Sequence, residues 1–289
     1  MNKSNWDDIR YVLAVAETGS LNAAASRLSV THATVLRRVG SFEARHGQAV
    51  FQKLATGYRV LPEAEPVLLA ARNVQDAVLA VDRAFLGADQ SLAGEVRIAS
   101  TDSLSTLVLP GIIQAISARY PALKLTLLST NIRQDFFRLS ADIAVRPAVA
   151  LEKGMSGRVA ASFEFAQYSV DPSDDFWIGL DGPLTNSRAA AWMVENVPPD
   201  RIRQSADSFL VVRELAAAGA GKALLPTFVG DPDPRLKRQA DAVPSISVPI
   251  WVATLEELER NARFRAVRDA LGEGISRSMQ RFQEASGNR

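Results

Sequence analysis

The chain has no cysteine among its 289 residues, which excludes disulfide scaffolds, thiolate metal sites and cysteine nucleophiles. A reducing compartment is compatible with that absence. Histidine is nearly as scarce, and both examples, His32 and His46, fall in the first 46 residues. The remainder therefore holds no Ser-His-Asp triad and no histidine acid or base. Metal binding would fall to carboxylates alone, and no Asp/Glu group with ligand spacing occurs. No metal, no cofactor and no enzymatic activity are expected. No apolar run approaches the ~20 residues of a membrane span. The start, MNKSNWDDIRYVLAVAE, scatters charges among its apolar residues and lacks a signal-peptide core. These absences lead us to expect a soluble, cytoplasmic protein with no membrane partner.

An apolar share of 47% is ample for sizeable cores, and the length suits two or three units. The net charge of +1 hides an asymmetry. Residues 1–60 hold eight Lys/Arg against four Asp/Glu, leaving 25 against 28 of the chain's 33 and 32 for the rest. Basic character is concentrated at the N-terminus, as phosphate neutralisation requires.

Residues 20–45, SLNAAASRLSVTHATVLRRVGSFEAR, read as two short helices joined by a tight turn. Leu21, Ala24, Ala25 and Leu28 share one helical face behind a Ser20 N-cap, and Gly19 ends whatever precedes it. Thr31 caps a second helix with a buried stripe of Val35, Val39 and Phe42. Its opposite face would carry His32, Thr34, Arg37, Arg38, Ser41 and Arg45, a basic, hydrogen-bonding surface suited to a DNA major groove. Ile9, Val12, Leu13 and Ala16 predict an earlier helix. Residues 50–61 read as a two-stranded wing around Thr56-Gly57, with Lys53 and Arg59 able to reach phosphates.

This segment resembles the winged helix-turn-helix of the LysR-type transcriptional regulators. The matching positions are Ser20-Leu21, Ala24-Ala25, Leu28, Thr31-His32, Phe42-Glu43, Gly47, Val50-Phe51, Lys53 and Leu61, without a gap. Leu36 stands where the family usually has Ser and His46 where it has Leu; Pro62 and Glu65 replace a late Thr and Gly. The DNA-binding set read from residues and resemblance together is Thr31, His32, Thr34, Arg37, Arg38, Ser41, Lys53 and Arg59.

Residues 63–86 lack glycine and carry a heptad seam, Val67, Ala71, Val74, Val78, Val81 and Phe85. It could pair two chains or pack inside its own domain; the resemblance, which places a linker helix here, favours a dimer interface. Gly87 to Ser91 reads as a hinge. From Gly94 strands and helices alternate: strands at 95–100, 123–128 and 142–146, and a helix at 104–119. Further strands are expected at 176–180, 223–225 and 249–255, with helices near 209–218 and 260–284. This grammar predicts a mainly parallel sheet.

Gly94-Glu95-Val96-Arg97-Ile98, Leu109-Pro110, Tyr120-Pro121, 142–146 and Gly219-Ala220-Gly221 before Leu224-Leu225-Pro226 extend the resemblance to the family's effector domain. It implies two α/β subdomains similar to periplasmic solute-binding proteins. The expected fold class is thus α/β: a winged helix-turn-helix (1–61), a linker helix and hinge (62–89), and an effector domain (90–289). Its subdomains would be 90–160 with 262–289, and 161–261.

Ligands of α/β sheets bind beyond the carboxyl ends of strands. That rule selects Ser100, Thr101, Asp102 and Ser103, then Ser129, Thr130 and Asn131, Arg146, and Ser205, Asp207 and Ser208. The effector set read from it is Ser100, Thr101, Asp102, Ser103, Thr130, Arg146 and Ser208. Ser103 and Ser208 equally suit helix caps, and Arg146 suits either a carboxylate ligand or an internal salt bridge. Gly219 to Gly221 reads as a helix end rather than a nucleotide loop, and Trp177, Trp192, Trp251 and Phe228 as core.

The implied function is a DNA-binding transcriptional regulator modulated by a small-molecule effector. A homodimer or homotetramer would bind double-stranded DNA at an inverted-repeat operator and contact RNA polymerase. The alternative is a solute-binding or enzymatic α/β protein with an accessory helix-turn-helix, opposed by residues 1–86 and by the missing histidine and cysteine.

Overall fold

The computed structural model describes residues 6–87, 91–132, 141–239 and 243–287. The chain divides into two compact units, one ending at Arg83 and the other beginning at Ala84.

The first unit contains α1 (Trp6–Thr18), α2 (Leu21–Arg27) and α3 (His32–His46), then strands β1 (Phe51–Leu54) and β2 (Gly57–Val60), then all but the last turn of α4 (Glu65–Gly87). Ser20 and Thr31 cap α2 and α3, accepting from the N–H groups of Ala23 and Thr34. Val12, Val15, Ala24 and Val35 are sealed in the core that the helical spacing predicts. The hairpin docks against the α1–α2 turn, where Tyr58 N–H donates to the Gly19 carbonyl at 2.8 Å. A Cβ on Gly57 would lie 2.4 Å from that same oxygen, so only glycine permits the approach. Glu43 fastens α3 to the hairpin by accepting from Val50 N–H at 2.7 Å and Phe51 N–H at 3.1 Å.

On α4 the expected seam is divided. Ala71 is buried and Val67 half-buried beside Ile9 and Phe42, so these two positions pack within their own unit. Leu68, which the heptad omits, is buried with them. Val74, Val78 and Val81 are exposed. The helix starts beside Ile9 of α1 and Phe42 of α3, where Val74 still lines the same crevice, and Val81 is the most exposed of the three valines. The side chain of Phe85, and residues 88–90 of the expected hinge, lie outside the described residues.

The second unit opens with β3 (Gly94–Ser100), α5 (Asp102–Leu107), α6 (Leu109–Arg119), β4 (Leu123–Ser129) and β5 (Ile143–Pro147). The expected helix over 104–119 is two helices that meet at Val108. Pro110, in the first turn of α6, cannot continue a helix from α5 because its ring would strike the preceding turn. There follow β6 (Met155–Ser169), β7 (Trp177–Leu180), α7 (Arg188–Asn196), β8 (Ile202–Ala206) and α8 (Phe209–Ala217). The chain continues with β9 (Ala223–Pro226), α9 (Thr227–Gly230), β10 (Lys237–Gln239), β11 (Ser247–Leu255) and α10 (Ala262–Gly287).

Among the described residues one large sheet runs β10-β6-β11-β5-β3-β4, with β9 also on β6, and β7 pairs with β8 separately. The expectation of a mainly parallel sheet is corrected. β3 is parallel to β4 and β5, but β11 is antiparallel to β5 and β6, and β6 is antiparallel to β9 and β10. The long β6 belongs to two sets of strands: Met155–Glu164 pairs with β11, and Phe165–Ser169 with β9 and β10. The subdomain boundary expected at 160–161 therefore falls inside a continuous strand. α10 lays Phe264, Val267, Leu271, Ile275 and Met279 against this sheet and α6.

Candidate functional site

On α3 the exposed residues are His32, Ala33, Leu36, Arg37, Gly40, Ser41 and Ala44, together with His46 at the end. Positions 33, 36, 37, 40 and 44 follow one helical arc. Two arginines expected on the outer face are absent from it. Arg38 reaches Asp8 at 3.0 Å and Arg45 reaches it at 2.7 Å. Asp8 is 1% exposed, and a buried carboxylate must be paired, so it draws in both guanidinium groups. The hydroxyls of Thr31 and Thr34 bond one another at 2.9 Å within the cap. Arg37 on α3 and Lys53 and Arg59 on the hairpin remain exposed cations, with His32 and Ser41 beside the arc. His46 fills its leucine-like position by packing its ring on Phe42, centroids 4.6 Å apart.

The second unit encloses a cavity of about 150 Å³. Thr101, Ser103, Asn131, Arg146 and Arg188 supply its polar lining, and Phe163, Phe165, Phe209 and Phe228 a hydrocarbon floor. The four phenyl rings pack edge-on or tilted at 5.1–5.5 Å. Thr101 Oγ1 is buried and has no hydrogen-bond partner among the described residues. Thr101 occupies the N-cap position of α5, but its side chain makes no cap bond. Arg146 Nη2 points along the Thr130 carbonyl at 3.5 Å, and Arg188 Nη1 donates to the Ser247 carbonyl at 2.8 Å.

Beside the cavity a polar clasp joins segments distant in sequence. Ser208 Oγ donates to Asp102 Oδ2 while accepting from the N–H groups of Leu210 and Val211. Asn131 accepts from Asp102 N–H at 3.2 Å through Oδ1 and donates to the Asp207 carbonyl at 3.2 Å through Nδ2.

Of the expected effector residues, then, Thr101, Ser103 and Arg146 line the cavity. Asp102 accepts from Ser208 through Oδ2 and from Ser103 N–H through Oδ1 at 2.6 Å, and the expected capping by Ser208 is present. Two further positions lie outside the cavity lining. Ser100 is fully buried and donates to the Val145 carbonyl at 2.8 Å, since as the last residue of β3 it is still paired on both sides, with Ser129 and Val145. Thr130 Oγ1 is occupied by Ile132 N–H at 3.1 Å in a local turn. Arg188 and the phenylalanines are not reached by the rule of strand ends; Phe228 is core, and it is also cavity floor.

Two family models match the chain and together cover more than half of it. Residues 6–65 match "Bacterial regulatory helix-turn-helix protein, lysR family", and residues 171–276 match "LysR substrate binding domain". The Mau operon transcriptional activator of Paracoccus denitrificans is 25% identical over 228 residues, covering 78% of this chain and 80% of that protein. Among solved structures, a full-length OxyR variant of Pseudomonas aeruginosa superposes with a TM-score of 0.66 at 15% identity, covering 94% of this chain and 95% of that one. CrgA of Neisseria meningitidis, a LysR-type transcriptional regulator, gives 0.55 at 20% identity, covering 94% and 99%. At such identities the two structures establish a shared fold.

Proposed function

The chain belongs to the family of LysR-type transcriptional regulators, and from that premise we propose how its two units divide the work. The first binds double-stranded DNA through α3 and the β1–β2 wing, with Arg37, Lys53, Arg59, His32 and Ser41 as its polar contacts. Two chains pair through the exposed Val74, Val78 and Val81 of α4, and the two-fold pair faces an inverted-repeat operator. The second unit binds a small effector in the Phe-floored cavity. The protein works in the cytoplasm by binding alone, without cofactor, metal or catalysed reaction.

The observation that carries the effector reading is Thr101 Oγ1, a buried hydroxyl without a partner among the described residues, in the lining of a cavity that Arg146 shares. Cavity size suits a small ligand, since a volume of roughly 150 Å³ is enough for one benzene ring. A phenyl floor with the guanidinium groups of Arg146 and Arg188 and the hydroxyls of Thr101 and Ser103 in the lining suits a single-ring carboxylate. Such an occupant touches Thr101 and Asn131, and both adjoin the Asp102–Ser208 clasp. It would favour one arrangement of the two lobes and so shift an equilibrium already present in the free protein.

Thermal denaturation of the full chain with benzoate, benzamide, succinate or glucose tests this. Benzoate should raise the midpoint most and bind roughly ten- to a hundredfold more tightly than benzamide, the range of one charge-assisted hydrogen bond. Arg146→Gln should bring those two affinities within about twofold. Stabilisation by succinate or glucose alone would reject the ring, and equal or absent shifts from all four would reject the ligand class altogether.

A further inference from the structure

Two long side chains rise from the exposed arc of α3, and they differ in kind. One is the Arg37 guanidinium; the other is Leu36, 47% exposed and outside the core cluster of its unit. The remaining arc positions, Ala33, Gly40 and Ala44, carry almost no bulk. Such a low, apolar profile lets a helix sit close to the floor of a groove, at the cost of hydrogen-bonding groups with which to read it. Arg38 and Arg45, which could have supplied them, are held by Asp8. Leu36 is the fifth residue of α3, within the N-terminal part of a recognition helix that meets base edges. The major groove offers one apolar feature to such a side chain, the C5 methyl of thymine; a guanidinium next to it is suited to guanine O6 and N7.

We propose that Leu36 is a specificity-determining residue that reads a thymine methyl, with Arg37 beside it reading guanine. This rests on α3 being the helix that enters DNA. It places direct readout on an apolar contact at the position where the resemblance leads one to expect a serine hydroxyl.

The test uses the full chain and duplexes selected by it from random DNA. Each thymine of the selected site is replaced in turn by deoxyuridine, which removes the methyl and nothing else. One thymine per half-site should then cost about fourfold in affinity, the effect of exposing one buried methyl. The Leu36→Ser protein should bind the thymine and deoxyuridine duplexes equally, and Leu36→Ala, a second variant at this exposed position, should do the same. Loss of no affinity at any thymine, or equal deoxyuridine sensitivity in the parent and both variants, overturns the proposal while leaving α3 as the DNA reader. Failure of selection to enrich any sequence would overturn the DNA-binding reading itself.

Discussion

A single carboxylate, Asp8, decides what two arginines of α3 can do. Arg37→Ala should weaken binding to DNA by about 1–3 kcal/mol, mainly at the one guanine it reads, with an unchanged melting temperature. Arg38→Ala should instead lower stability, because it strips a partner from a buried charge; a charged hydrogen bond of this sort contributes about 1.5–3 kcal/mol. Paired calorimetry and gel retardation separate the two, and equal melting losses would contradict the assignment. Thr101 gives a prediction of opposite sign. Thr101→Val removes an unpartnered buried hydroxyl while keeping shape, so the free protein should become about 1 kcal/mol more stable. The benzoate shift should shrink in the same protein, and a less stable variant would show that the hydroxyl is already satisfied. Spacing alone located Thr101, Ser103 and Arg146, because strand ends are visible as the close of an apolar alternation. It could not locate Arg38, since nothing in the order of residues reveals that Asp8, thirty positions earlier, is buried beneath it.

At the level of elements, α4 leaves Val74, Val78 and Val81 exposed, the seam proposed to pair two chains. Val74→Asp with Val78→Asp would put two charges in a paired seam and should dissociate the chains in sedimentation without melting the first unit. An unchanged assembly would assign pairing elsewhere. A second element-level device is the ion cluster after α9, where Asp233 lies between Arg235 at 2.6 Å and Arg213 at 3.7 Å. Bonding to Arg235 holds the Asp233 carboxyl below its ordinary value of 3.8. Its contribution is therefore complete above that value and is lost as pH falls through the lower folded value. Between pH 5 and about pH 3 the melting temperature should fall more steeply for the parent than for Asp233→Asn. The helices of the first unit were legible because each has an amphipathic stripe, and α2 and α3 have a cap as well. β6 was not: it begins with Met155-Ser156-Gly157 and only later alternates, and its last residues are buried on both faces. α7 and β8 were overlooked for a related reason, being short and lying between prolines.

Across the whole molecule, the division between a basic N-terminal unit and a larger α/β unit was readable from charge and periodicity. The direction of the strands was not, because periodicity reports which residues face inward and is silent on how strands run past one another. That direction has a mechanical meaning. β6 and β11 lie side by side from Met155 to Glu164 and from Ser247 to Leu255, and their register slips only between Ile250 and Trp251. A hinge of loose loops would let two lobes swing freely. Here β6 runs on without a break from one set of strands to the other, and the slip at Ile250–Trp251 lies where β11 is paired with β5 on its other side, so a local increase in twist falls there. Closure around an effector would then be a twist taken up along the shared strand β6, like winding a torsion bar, and it would unwind when the effector leaves. Stiffening that point, by a substitution that restores even register, should slow the opening and closing of the cavity more than it alters the affinity for what fills it.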